Sequence, residues 1–165
     1  IVFSSVAGAA INYAINLIVV FVFAAINGVP LTWSIFIIIP LFFELALLAT
    51  GIAFILSSLF VKFRDIGPIW EVFLQAGMYA TPIIYSLTFI LQRGQVTFAK
   101  LMMLNPVAQI IQDLRHFIVY SGNTTVSELI ENPFIVAIPY ILPVVIYLLG
   151  ITVFRKNAKK FAEIL

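Results

Sequence analysis

Residues 31–61, LTWSIFIIIPLFFELALLATGIAFILSSLFV, contain a single charged side chain, Glu44. A run this long and this apolar cannot be the surface helix of a water-soluble domain, which keeps one face polar. It is long enough to cross a bilayer core of about 30 Å, which takes roughly 20 apolar residues. Comparable runs occupy about 2–26, 69–91 and 134–154. The whole chain is 63% hydrophobic and only 10% charged, where a soluble domain carries roughly a quarter charged residues. The expected fold is an all-α integral membrane protein: four transmembrane helices plus an outer amphipathic or re-entrant helical segment.

The breaks between the runs are short and chemically distinct. INGVP (26–30) ends the first run with Asn-Gly and Pro signals. VKFRDIGPIW (61–70) ends the second by placing Lys62, Arg64 and Asp65 within four positions. Gly67 reads there as a helix stop and Pro68 as the first residue of the next helix, where its missing N–H costs nothing. Pro82 falls inside the third run and is expected to kink its last turns. Pro139 and Pro143 should leave the start of the fourth bent or irregular. Lysine and arginine collect on the cytoplasmic side of a membrane protein. With four spans, Lys62, Arg64, Arg155, Lys156, Lys159 and Lys160 share one side and Arg93, Lys100 and Arg115 the other. The 62–68 turn and the 155–165 tail are therefore assigned to the cytoplasm.

The segment between the third and fourth runs is not an ordinary loop. In LNPVAQIIQDLRHF, Asn105 is placed to cap a helix whose first residue is Pro106. Val107, Ile110, Ile111, Leu114, Phe117 and Ile118 form one apolar stripe, and Gln109, Gln112, Asp113, Arg115 and His116 the other face. A helix of about 15 residues is too short to span and would bury its charges at several kcal/mol each. The outer segment, about 98–120, either closes the outside of the bundle at the interface or dips in and returns.

Candidate chemistry is sparse. There is one histidine, no cysteine, no HExxH, no paired intramembrane acids, no nucleophile elbow and no GxxxxGK[ST] phosphate loop, so metal, thiol and P-loop ATP chemistry have no obvious seat in this chain. His116 reads as an interfacial polar residue. Glu44 is the one acid well inside a run, where insertion costs roughly 2.5–3.5 kcal/mol near mid-bilayer. It either hydrogen-bonds a neighbouring helix or lines a polar path. Ser4, Gly8, Asn12 and Asn16 share one ridge of the first run, which suits a helix–helix interface or a substrate surface. Trp70 and Tyr85 fit interfacial anchors, while Gln75 and Tyr79 lie deeper, for packing or for stacking on sugar rings. The basic tail is a positive-inside anchor or a partner contact. NTT at 123–125 matches a glycosylation acceptor, a short pattern that decides little.

Taken in order, SSLFVKFRDI after one span, YATPIIYS closing the next, LNPVAQIIQDLRHF outside and FRKNAKKFAEIL at the end resemble the permease subunit of ABC-type polysaccharide and polyol-phosphate exporters, which move O-antigen, capsule and teichoic-acid chains. The resemblance covers essentially all of the chain. It implies one transmembrane permease domain, the C-terminal part of a six-span protein beginning at the family's third span. The chain's opening at Ile1, with no basic leader, suits that expectation. It further implies a multi-pass protein of a bacterial or archaeal cytoplasmic membrane, working as two copies with a separate ATP-binding cassette subunit that binds ATP, and a lipid-linked glycan as cargo. The permease itself is then no enzyme, holds no cofactor and binds no nucleic acid. By position, Phe63, Arg64 and Asp65 match the turn that couples to the ATPase. Pro82 and Tyr85 match the outer end of the following span, and Asn105, Pro106 and Arg115 the re-entrant outer helices. Gln75, Tyr79, Pro82, Tyr85 and Glu44 are the candidates for the conduit. The competing readings are a drug or lipid exporter permease of the same superfamily, a fragment of a membrane-embedded glycosyl or lipid transferase, and a non-catalytic membrane scaffold.

Overall fold

The computed structural model describes residues 2–28, 33–63 and 65–161. Among these the fold is all-helical, and three segments are long and apolar enough to cross a membrane: Ser4–Ile26, Trp33–Val61 and Pro133–Asn157. They lie within α1 (Val2–Ile26), α2 (Ile38–Lys62, entered through a 3₁₀ turn at Trp33–Ile37) and α8 (Pro133–Phe161). Between α2 and α8 the chain forms α3 (Ile66–Ala80), α4 (Leu87–Gln92), α5 (Val96–Met102), α6 (Pro106–Leu114, continued by a π turn at Arg115–Val119) and α7 (Val126–Leu129).

The closest packing is between α2 and α8, and glycine makes it possible. A Cβ on Gly51 would lie 2.7 Å from the Tyr147 backbone, and one on Gly150 would run into the Gly51 carbonyl. Without an apolar driving force between helices in lipid, such small-residue contacts let backbones approach and gain dispersion. Phe54 packs on both Tyr147 and Phe154, with ring centroids 6.5 and 5.1 Å apart. These pairings rise together along both helices, so α2 and α8 run parallel. The end of α2 at Phe63 and the end of α8 consequently share one end of the bundle. The start of α2, the start of α8 and the α4–α7 segment gather at the other, here called the distal end. Pro139 and Pro143 are fully buried, and α8 runs through both as one continuous helix. The irregular start expected from those prolines is absent.

α1 packs on α2 through Tyr13, whose ring stacks on Phe42 at 5.5 Å. Val6, Ala10, Tyr13, Leu17, Phe21 and Ala24 form its half-buried stripe. The Ser4–Gly8–Asn12–Asn16 ridge lies on the opposite side: a Cβ on Gly8 meets nothing within 4 Å, and Asn16 Nδ2 turns back to the Asn12 carbonyl at 2.9 Å. Within this chain the ridge is not a helix–helix interface.

The continuous 69–91 run does not form. α3 begins at Ile66, so Gly67 and Pro68 sit in its first turn, where backbone N–H groups have no intrahelical partner anyway. It stops at Ala80 because Thr81 precedes proline and is pushed to extended geometry, φ −108° and ψ 140°. The Ile83 amide then donates to the Thr81 carbonyl at 2.7 Å, a three-residue turn around Pro82. Fifteen residues rise about 22 Å, short of a bilayer core of about 30 Å. Pro82 therefore breaks the helix where only a kink is expected. No residue of α3 is buried. Beyond the break a small distal core forms from Leu87, Ile90, Ala99, Met102, Met103, Ala108, Val126 and Ile130. It ties α4, α5, α6 and α7 into one unit.

Candidate functional site

The site is assembled by α6. Asn105 caps it as its sequence suggests, Oδ1 accepting from the Val107 amide at 3.0 Å, with Pro106 in the first position. Its orientation is the reverse of a helix lying at the interface with its polar face toward water. Gln109 is 0% exposed, Gln112 2% and Asp113 4%, so the polar face points into the bundle. Ile111 and Leu114 are half-buried and Phe117 exposed. Ile110 is buried as well, so α6 is enclosed by the bundle rather than laid on it with its polar face to water.

Three helices meet at this face. Gln109 Nε2 and Tyr140 Oη on α8 both donate to Asp113 Oδ2, each at 2.8 Å. Glu44 on α2 lies beside them, in range of Gln109 and feeling the charge of Asp113. Glu44 is about 16 Å along α2 from Trp33 and Tyr140 about 10 Å along α8 from Pro133, at 1.5 Å per residue. The cluster therefore sits well below the distal end. Still further in, Asn105, Pro106 and Val107 share an open apolar cavity of 510 Å³ with Leu48, Ile52, Leu142 and Ile146, lined on the α3 side by Trp70, Phe73 and Met78. The π turn that ends α6 returns to Ser34 at the distal end. The sequence offers no paired intramembrane acids, yet Glu44 and Asp113 come within electrostatic reach of each other because α6 packs against α2, and His116 lies within the same reach of Asp113.

The broken backbone at Pro82 is held by the same element. Arg115 donates from one guanidinium nitrogen to the Pro82 carbonyl at 2.7 Å and from the other to the Ile83 carbonyl at 2.8 Å. It also reaches Gln112 Oε1 at 3.2 Å. Asn105 Nδ2 donates to Thr81 Oγ1 at 3.1 Å, and Tyr85 Oη closes the turn onto the Tyr79 carbonyl at 2.8 Å. His116 Nδ1 donates to the Asn123 carbonyl at 2.6 Å, and Asn123 Nδ2 bonds the Arg115 and Tyr120 carbonyls. The NTT asparagine is thus committed to the fold of the turn, and Thr125 and Glu128 form a capping box on α7.

Of the residues singled out in the sequence, Pro82, Tyr79, Tyr85, Asn105, Pro106 and Arg115 come together around the break, and Glu44 joins α6. Gln75 stays apart, exposed on α3. Phe63 and Asp65 lie at the opposite end, exposed, with Asp65 making no side-chain cap of α3; Arg64 lies outside the described residues. Gln109, Asp113, Tyr140 and Thr81 were not singled out as site residues. For Gln109 and Asp113 the signal was present in the spacing of four between them and Glu44's need for a partner inside the membrane. Among the described residues no group of three His, Cys, Asp or Glu side chains is placed to hold a metal ion. No family model, no curated protein and no solved structure matches the chain.

Proposed function

We propose that this chain is the membrane-spanning subunit of an ATP-driven exporter that moves a polysaccharide or polyol-phosphate glycan on a lipid carrier across a cytoplasmic membrane. The observation that supports this reading most is the broken third run: α3 stops at Ala80, its backbone turns at Pro82, and α6, with its polar face buried in the bundle, holds the released carbonyls through Arg115. A helix bundle that only anchors a protein has no use for non-helical backbone at membrane depth, which persists only where protein or a water-filled path satisfies it. In this reading α3 is the fourth crossing, completed by the re-entrant element. The 62–65 turn faces the cytoplasm with the basic end of α8 and receives the stroke of an ATP-binding subunit through Phe63, Arg64 and Asp65. Gln75 and Tyr79 on the unburied α3, with Pro82 and Tyr85 above them, border the conduit. A second copy covers α3 and the Asn12–Asn16 ridge of α1, which are otherwise left open.

The test is co-purification and export from the native membrane. The full-length protein, carrying a photo-crosslinker at Phe63 or Asp65, is expected to capture an ATP-binding-cassette subunit, and Arg64→Ala with Asp65→Ala to abolish glycan export while the protein still inserts. Capture of no ATPase from either position, together with unchanged export by both variants, would overturn the reading. Stimulation of the complex's ATPase by hydrophobic drugs and not by glycan-lipid would transfer it to a drug exporter.

A further inference from the structure

The polar cluster has more acceptors than donors. Glu44 Oε1, Gln109 Oε1 and Asp113 Oδ1 are all buried without a hydrogen-bond partner. The two side-chain donors that bond into the cluster, Gln109 Nε2 and Tyr140 Oη, both go to Asp113 Oδ2. No cation bonds into it: Arg115 is spent on the Pro82 and Ile83 carbonyls and on Gln112, and His116 donates its Nδ1 proton to Asn123. A carboxylate and an amide oxygen can only accept, and a buried unsatisfied acceptor costs about 1–3 kcal/mol. Glu44 lies within electrostatic reach of Asp113, and among the described residues no cation is hydrogen-bonded to either carboxyl, so each disfavours ionisation of the other.

We infer that Glu44 and Asp113, framed by Gln109 and Tyr140, form a buried proton-binding site that holds one proton between two carboxyl groups. Taking up a proton from water converts two carboxylates into one carboxylic acid and one carboxylate. The new O–H donates to one of the three orphaned oxygens and ceases to be an orphan itself, so a single proton resolves two of the three. A hard cation would compete for the same oxygens, and the experiment below separates the two occupants. Around the pair, every element in contact contributes: Glu44 from α2, Gln109 and Asp113 from α6, His116 from the turn after it, and Tyr140 from α8. The proton joins three helices, so its loss sets two like charges against each other across the α2–α6 contact. The site is independent of what the protein transports.

Infrared titration of the full-length protein in lipid nanodiscs tests this directly. The wild type is expected to show a carboxylic C=O band at neutral pH that disappears on raising the pH, and Glu44→Gln and Asp113→Asn are each expected to remove it. The hydrogen-exchange rate of the α6 amides is expected to rise in the wild type as the band disappears. Absence of any carboxylic band at neutral pH in the wild type, which involves no substitution and hence no question of misfolding, would overturn the inference. So would a band that survives both substitutions, or one that sodium ions abolish at constant pH, which would mark a cation site.

Discussion

Arg115 shows how a charge is afforded inside this protein. Its guanidinium fork spends two donors on the carbonyls that Pro82 and the extended Thr81 release from helical bonding. A hydrogen bond to a charged group contributes roughly 1.5–3 kcal/mol, so Arg115→Ala is expected to destabilise the protein by about 3 kcal/mol, read by denaturant unfolding in micelles. Arg115→Lys should recover less than half, because an ammonium cannot reproduce the planar fork.

At the scale of elements, two contacts organise the bundle. The α2–α8 crossing rests on Gly51 and Gly150, which leave no room for a Cβ against the facing backbone. Gly51→Ala and Gly150→Ala are each expected to cost about 1–3 kcal/mol through overpacking, seen as a lower unfolding midpoint, whereas Gly8→Ala on the open ridge of α1 should change little. The second contact is the break at Pro82. Proline both removes a donor and forbids helical geometry to Thr81, so Pro82→Ala is expected to let α3 extend through 81–83 and pull the carbonyls away from Arg115. Hydrogen exchange would then slow at residues 82–85 and quicken around the π turn at Arg115–Val119. Unchanged exchange at both places would show that the distal core alone sets the break.

At the scale of the whole molecule, the long apolar helices were plain in the sequence because length and hydropathy alone specify them: α1, the Trp33–Val61 crossing and α8 fall where their runs do. The 69–91 run misled because composition is blind to how the freed backbone is satisfied. Its fate depended on Arg115, more than thirty residues away. α6 was legible as a helix with an Asn105 cap and two faces, but periodicity cannot say which face is buried when the solvent is lipid. Glu44 carried the missing information, since an acid in a spanning helix needs a polar partner and only α6 was there to supply one. Under the proposed function a second copy covers the open faces of α3 and α1. Asn12→Cys, in a chain that has no cysteine of its own, is expected to cross-link between copies in native membranes; only monomeric product would leave the ridge facing lipid.

The central claim is that α6 lies inside the bilayer at the level of Glu44. Single cysteines at Val107 on α6 and at Trp33 and Phe43 on α2, spin-labelled in nanodiscs, measure it through their relative accessibility to oxygen and to a water-soluble paramagnet. The label at Val107 is expected to report a depth equal to or greater than that at Phe43. A label at Val107 as shallow as the one at Trp33 would place the helix on the membrane surface and contradict the account.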